Sequence, residues 1–167
     1  MASAADGLKR LTLELGGNDP GIVLDDVDVR EGARGIFNAA FLNCGQVCLA
    51  IKRAYVHDSQ CDAVCEELAK LAEAAIVEDG TKQGAQLGPL QNKAQYDKVK
   101  AIIAQAAQDG KIIAGGEIPD RPGFFIRPTI VRDIAEDAQL VREEQFGPVL
   151  PVLRYTDIDD AIARTNG

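Results

Sequence analysis

The chain has 167 residues, enough for one domain with its own hydrophobic core. It carries 26 acidic and 18 basic residues, and its net charge of −8 argues against binding to nucleic acid or to an anionic membrane surface. The apolar runs are short and interrupted by charges, so none predicts a membrane span. The first ten residues do not resemble a secretory signal, and we expect a cytoplasmic protein.

The first third of the chain predicts two strands and the start of a helix. Apolar and polar residues alternate over residues 11–17, which predicts a strand that ends in a glycine turn. A short apolar strand is expected at residues 22–24. Asp28 and Glu31 have the spacing of a capping box, so a helix should begin there.

The middle of the chain predicts a strand and two amphipathic helices. Residues 49–57 read as the strand, and Asp58 or Ser59 can cap the helix that follows. The apolar stripe of this helix consists of Cys61, Val64, Cys65, Leu68, Leu71 and Ala75. A second helix should end near Gly110, and its apolar face consists of Tyr96, Val99, Ile103 and Ala106.

The last third predicts three strands and two helices. Strands are expected at residues 111–117, 124–131 and 149–156, a helix over residues 137–147, and a final helix from Asp157 onward. Several strand-to-helix steps in one chain favour an α/β fold with a twisted, mostly parallel sheet covered by helices. No repeat or linker interrupts the pattern, so we expect a single domain.

The four cysteines form two C-x3-C pairs, Cys44 with Cys48 and Cys61 with Cys65. A disulfide is not expected in a cytosolic chain of this size, because thiols stay reduced there. Two such pairs separated by a strand also lack the spacing of a zinc finger or ribbon, so no metal site is predicted. Cys61 and Cys65 lie on an apolar helical stripe, which favours burial in the core.

Cys44 continues the apolar face of the first long helix, whereas Cys48 follows Gly45, a natural residue to end that helix. Sequence patterning leaves two interpretations of Cys48 open: a residue entering the next strand, or a reactive thiol on irregular backbone. The negative end of a helix dipole disfavours a thiolate, so a reactive Cys48 would need a nearby base or a bound cation.

Glu14 is the candidate base. On the predicted strand, Leu13 and Leu15 point to one face and Glu14 to the other. Glu14 is either a solvated surface residue or a base that activates a nucleophile or a water molecule. The two glycines that follow would let a flat ligand or another backbone approach closely.

Three stretches resemble motifs of the NAD(P)-dependent aldehyde dehydrogenase superfamily. LELGGN at residues 13–18 resembles the glutamate motif, and FLNCGQVCLA at residues 41–50 resembles the cysteine motif. EEQFGPVLPV at residues 143–152 resembles the E-x-F-G-P-V segment. The motifs occur in the order of the family, and the resemblance covers nearly the whole chain. One departure is Asn18, where many relatives have lysine.

The resemblance implies roles in oxidising an aldehyde to a carboxylate. Cys48 matches the nucleophile, which forms a thiohemiacetal and then a thioester once hydride has passed to NAD or NADP. Glu14 matches the general base that activates the cysteine or the hydrolytic water. The backbone N–H of Cys48 would supply part of the oxyanion hole.

The resemblance also implies half of a cofactor site. Glu144 matches the carboxylate that binds a cofactor ribose, and Phe146 an aromatic contact with the nicotinamide half. Leu15 and Gly16 would lie beside the nicotinamide. An oxidised nicotinamide is cationic and would favour a thiolate at Cys48.

By the same resemblance, residues 1–167 are a truncated catalytic domain without the dinucleotide-binding and oligomerisation segments. The full-length protein would be a homo-oligomer that acts on a small aldehyde. We therefore expect little dehydrogenase activity from this chain alone. Two other functions remain open: a residual thiol esterase, and a non-catalytic domain that self-associates through surfaces left uncovered.

Overall fold

A five-stranded sheet forms the centre of the fold, which a computed structural model describes over residues 1–166. The strands are β1 (Pro20–Val23), β2 (Arg53–His57), β3 (Lys111–Ala114), β4 (Thr129–Arg132) and β5 (Val149–Tyr155). Their spatial order is β1-β2-β5-β4-β3, with β3 antiparallel to β4 and the remaining neighbours parallel. The predicted α/β class with a mostly parallel sheet is confirmed.

Helices lie against the sheet, apart from the first, which buries none of its residues. They are α1 (Ala2–Ala5), α2 (Val29–Phe41), α3 (Asp58–Ala74), α4 (Lys93–Asp109), α5 (Gln139–Arg142) and α6 (Ile158–Thr165). The helix α3 contacts β2, β3, β4 and β5 and also lies against α2. Fully buried Tyr55, Leu68, Ile130 and Leu150 mark the core between these elements. Within residues 1–166, no helix is both long enough and apolar enough to cross a membrane.

Two of the predicted helix boundaries are confirmed and one cap is corrected. The Asp28 carboxylate accepts hydrogen bonds from the N–H groups of Arg30 and Glu31, both at 3.0 Å, and so begins α2. The helix α4 ends at Gly110, as expected. The cap of α3 is neither Asp58 nor Ser59. His57 takes that place, because its side chain accepts the N–H of Ser59.

The strand expected at residues 11–17 is absent. This segment has no regular structure, and Leu11, Leu13 and Leu15 are at least half exposed. Alternating residues form a strand only where a neighbouring strand takes up their backbone hydrogen bonds. The edge strand β1 begins later, at Pro20, and nothing in residues 1–166 pairs with the segment. Glu14 is accordingly exposed on irregular backbone rather than on a sheet face.

The first long helix ends earlier than its apolar pattern predicts. The helix α2 stops at Phe41, and a 3₁₀ turn, Leu42–Gly45, follows it. Asn43 and Cys44 in this turn have φ values of 51° and 60°, in the left-handed region that ends a right-handed helix. Cys44 is therefore buried by a turn and is not on a helical face.

Four further elements are shorter than their patterns predict. Residues 49–57 contribute only Arg53–His57 to the sheet, since residues 48–50 form a turn. Residues 111–117 leave the sheet at the left-handed Gly115. Residues 124–131 join it only after Pro128, which has no N–H to donate. Residues 137–147 contain only the single helical turn α5.

Candidate active site

Three loops meet at one end of the sheet because they precede three neighbouring parallel strands. Residues 14–17 lead toward β1, residues 46–50 toward β2, and residues 143–146 toward β5. β2 is paired in parallel with β1 on one side and with β5 on the other. The amino-terminal ends of these strands therefore face the same way, and segments distant in sequence become neighbours.

The loops enclose an open cleft with a volume of about 600 Å³. The residues that line it are Glu14, Leu15, Gly16, Gln46, Val47, Cys48, Gln95, Lys98, Glu144 and Phe146. All six site residues named from the sequence are in this list. The structure therefore brings the proposed nucleophile, the proposed base and the four proposed cofactor contacts together in one place.

The two cysteines of the FLNCGQVCLA stretch lie in different environments. Cys44 is 2% exposed, and burial raises the pKa of its thiol to about 12, so the thiol stays protonated at neutral pH. Cys48 is half-buried and opens into the cleft. It lies in a turn that is closed by a hydrogen bond of 3.1 Å from the N–H of Ala50 to the carbonyl of Val47. Cys48 is therefore the thiol that a substrate can reach.

Glu144 joins the loop before β5 to the loop before β1. Its Oε1 accepts the N–H of Gly17 at 3.1 Å. On the other side, α4 holds the same loop: Lys98 Nζ donates to the Glu144 carbonyl at 2.8 Å, and the Gln95 amide donates to the Phe146 carbonyl at 2.9 Å. The Glu144 carboxylate is thereby fixed at the wall of the cleft.

Two glycines permit this close approach. A Cβ on Gly17 would lie 2.6 Å from the carbonyl oxygen of Cys48, so a side chain there would displace backbone. A Cβ on Gly16 would run into the Glu144 carboxylate. The glycines of the LELGGN stretch thus let one loop lie directly over the cysteine turn.

The remaining cysteines belong to the core. Cys61 and Cys65 are each 1% exposed on the buried side of α3, as predicted. Their mutual hydrogen bond and burial raise the pKa of the Cys65 thiol. Among residues 1–166, no group of three or more histidine, cysteine or acidic side chains is arranged to hold a metal ion.

A second cavity, of about 520 Å³, lies apart from the thiol. Charged side chains dominate its wall, including Arg53, Glu136, Arg142 and Arg164. It contains none of the site residues named from the sequence.

Gln95, Lys98 and Lys52 lie in or beside the cleft and were not predicted as site residues from the sequence. Gln95 and Lys98 are three residues apart on α4, so they share a face of the helix. This polar pair beside an apolar stripe could have indicated a functional face. Lys52 is a charged residue that breaks the apolar stretch predicted as a strand. It is 1% exposed, which the sequence pattern alone did not indicate.

The fold is an α/β sheet, and its cleft presents one reachable thiol, Cys48, together with the carboxylates of Glu14 and Glu144. The chain belongs to the aldehyde dehydrogenase family, whose family model matches residues 1–167.

Individual relatives agree with this assignment. The betaine aldehyde dehydrogenase of Brucella anthropi is 40% identical over 171 aligned positions, which cover 99% of this chain and 35% of the relative. The 1-pyrroline-5-carboxylate dehydrogenase of Bacillus cytotoxicus is 40% identical over 159 residues, which cover 95% of this chain and 31% of the relative.

Solved structures share the fold. An aldehyde dehydrogenase from Bacillus cereus in complex with NAD⁺ superposes with a TM-score of 0.92 at 36% identity. A mutant of aldehyde dehydrogenase C from Pseudomonas syringae, in complex with NAD⁺ and octanal, superposes with a TM-score of 0.90 at 35% identity. Each match covers 99% of this chain but only 34% and 35% of the neighbour. The chain thus spans about a third of these relatives.

We expect an alkylating reagent to distinguish the four thiols of the native chain. Iodoacetamide should modify Cys48 first, because the other three cysteines are at most 2% exposed. Peptide mass spectrometry after a short exposure measures this, with a urea-unfolded sample as the control in which all four react. Equal labelling of Cys44 and Cys48 in the native chain would contradict the arrangement.

Substitution of the glycine over the cysteine turn should destabilise the fold. Gly17→Ala places a methyl group against the Cys48 carbonyl, and we expect it to lower the free energy of unfolding by about 1–3 kcal/mol. Gly35→Ala is the matched control, because nothing lies within 4 Å of the added Cβ and the site is helical. That variant should be neutral or more stable. Equal urea midpoints for the two variants would show that the loop at Gly17 does not pack tightly against the Cys48 turn.

Proposed function

We propose that the chain is the catalytic segment of an NAD(P)-dependent aldehyde dehydrogenase, which oxidises an aldehyde to a carboxylate. The observation that carries this proposal is the meeting of Cys48, Glu14 and Glu144 in one cleft, from loops that precede three different strands. Family membership and the NAD⁺ complexes of structural neighbours support it.

In this proposal, Cys48 is the nucleophile. Its Sγ adds to the aldehyde carbon, a C–S bond forms, and the carbonyl oxygen takes the negative charge. The Cys48 N–H is the proposed donor to that oxygen and so supplies part of an oxyanion hole. The cysteine lies in a turn and not inside a strand, which leaves its backbone N–H outside the sheet ladder.

The residues present fit the nicotinamide half of the cofactor. Glu144 offers a carboxylate whose Oε1 is held by Gly17, which leaves its other oxygen for a ribose hydroxyl. Phe146 offers an aromatic surface, and the missing side chain at Gly16 leaves the room that the Glu144 carboxylate occupies. When bound, NAD(P) accepts the hydride that leaves the carbon attached to Cys48.

Glu14 is proposed to complete the reaction. Its carboxylate is exposed at the mouth of the cleft, where it stays hydrated and can take a proton from a water molecule. The water oxygen bonds to the thioester carbon, the C–S bond breaks, and the carboxylate product leaves. Glu14 takes one of the two water protons, the other leaves as the carboxylic acid ionises, and the electron pair of the broken C–S bond restores Cys48 as a thiolate.

The proposal extends to the rest of the protein. Residues 1–167 are the catalytic domain, and further segments would supply the dinucleotide-binding and oligomerisation surfaces of a cytoplasmic homo-oligomer. The names of the relatives point to different substrates, namely betaine aldehyde, 1-pyrroline-5-carboxylate and octanal. The substrate of this chain is therefore proposed only as a small aldehyde.

An aldehyde should protect Cys48 from alkylation. Octanal, the aldehyde bound by a structural neighbour, should slow the modification of Cys48 by iodoacetamide reversibly, because the thiohemiacetal has no free thiol. Octanol is the matched control, since it has the same chain but no carbonyl to attack. Equal modification rates with aldehyde and alcohol would remove the support for Cys48 as the nucleophile.

The chain alone should show little NAD-dependent turnover of aldehydes, because the cofactor contacts proposed for these residues serve the nicotinamide half alone. Absorbance of NADH measures this, and turnover near the rate of a full-length relative would refute it. A weak thiol esterase is the second candidate, since Cys48 and Glu14 face an open cleft without needing a cofactor. Hydrolysis of a p-nitrophenyl ester that survives Cys48→Ala would exclude it.

A further inference from the structure

Lys52 is a buried charge at the point where the three loops meet. Its side chain is 1% exposed. Lysine is almost never fully buried unless its ammonium is paired, because removing the charge from water is costly. The contacts of this ammonium are therefore the first clue to what the residue does.

The ammonium is surrounded by the turn that presents Cys48. Its Nζ donates to the carbonyls of Val47 at 2.6 Å and Ala50 at 3.1 Å, with the Cys48 carbonyl at 3.4 Å. These acceptors bracket the cysteine in sequence. The Glu144 Oε1 lies at 3.7 Å, a distance at which the pair interacts mainly through charge.

The backbone of Lys52 contacts the other two loops. Its N–H donates to the carbonyl of Asp19 at 2.8 Å, just before β1. Its carbonyl accepts the side-chain amide of Gln145 at 3.2 Å, just before β5. One residue thus contacts the chain just before β1, the Cys48 turn and the loop before β5.

We propose that Lys52 is a positioning residue, whose buried ammonium fixes the Cys48 turn, holds the Glu144 carboxylate and provides the positive charge that favours the cysteine thiolate. The role rests on the proposed function only in taking Cys48 as the nucleophile.

The electrostatics of the site agree with this assignment. Burial lowers the pKa of Lys52, and the negative groups nearby act against that shift: Glu144 most strongly, then Asp19 and Cys48. A thiolate formed at Cys48 would be attracted to this ammonium, whose Nζ lies 3.4 Å from the Cys48 carbonyl oxygen. Phe146 completes the surroundings, with its ring centre 5.9 Å from Nζ.

Two substitutions separate charge from anchoring. Lys52→Met removes the ammonium but keeps an unbranched apolar stem. Lys52→Gln keeps a hydrogen-bond donor without charge. Neither changes the backbone contacts with Asp19 and Gln145. Lys93→Met is the matched control, because it removes a lysine whose side chain is 74% exposed and which pairs with Asp97 outside the cleft.

The readout is the rate at which iodoacetamide modifies Cys48 at neutral pH, measured in parallel with the urea midpoint of each variant. We expect the rate to fall at least about fivefold in both Lys52 variants and to be unchanged in Lys93→Met. If the role of Lys52 were merely structural, Lys52→Gln would recover both its urea midpoint and the alkylation rate of Cys48. That recovery, or an unchanged rate in Lys52→Met, would overturn the proposal.

The unmodified chain provides a test that needs no variant to fold. A ¹H–¹⁵N correlation spectrum of lysine ammonium groups should show a signal from Lys52 that is protected from exchange with water, because its hydrogens are bonded to carbonyls. Absence of such a signal would overturn the proposal even if both variants unfold.

The result can be told apart from failure of the proposed function. If octanal does not protect Cys48 but Lys52→Met still slows its alkylation, Lys52 positions a thiol that does not attack aldehydes. If octanal protects Cys48 and iodoacetamide modifies Cys48 at the normal rate in both Lys52 variants, Cys48 remains the proposed nucleophile and the proposed role of Lys52 is refuted.

Discussion

The parallel pairing of β2 with β1 and β5 is the constraint on which the site depends. Parallel neighbours begin at the same edge of a sheet, so the loops before them must converge wherever they lie in the sequence. The register aligns Pro20 with Arg53 and Ala54 with Val152, which fixes how far each loop projects. Cys48, Glu14 and Glu144 become neighbours for this reason, not because any local motif joins them.

The location of the cleft departs from a common rule for α/β sheets. Ligands of open parallel sheets usually bind beyond the carboxyl ends of the strands. Here the site residues precede their strands and lie at the amino ends. That arrangement allows the first residue before β2, Lys52, to extend its side chain under the cysteine turn while its backbone contacts both flanking loops. A lysine within β2 itself would have its backbone hydrogen bonds in the sheet and could not make all these contacts.

The sequence predicted the elements that periodicity controls and missed those that tertiary contacts control. The helix α4 and the cap at Asp28 followed from local rules. The strand at residues 11–17 failed because alternation cannot reveal whether a partner strand exists. The end of α2 was misplaced because left-handed backbone at Asn43 and Cys44 leaves little trace in hydrophobic spacing.

The candidate site was predicted by motif resemblance more than by physical pattern. Patterning left Cys48 and Glu14 each with a structural alternative, and the resemblance named all six residues now found in one cleft. It did not reveal Lys52, Gln95 or Lys98, whose importance lies in contacts between segments far apart in sequence. The sequence in particular does not distinguish a buried lysine such as Lys52 from an exposed one.

Chemical-shift mapping with nicotinamide mononucleotide tests the central claim most directly, namely that the cleft formed by these loops accepts the reactive half of the cofactor. Titration into the ¹⁵N-labelled chain should shift the backbone amide signals of Gly16, Gly17, Glu144 and Phe146 together. Shifts confined to the cavity beside Glu136 and Arg142, or no shifts at all, would contradict the account.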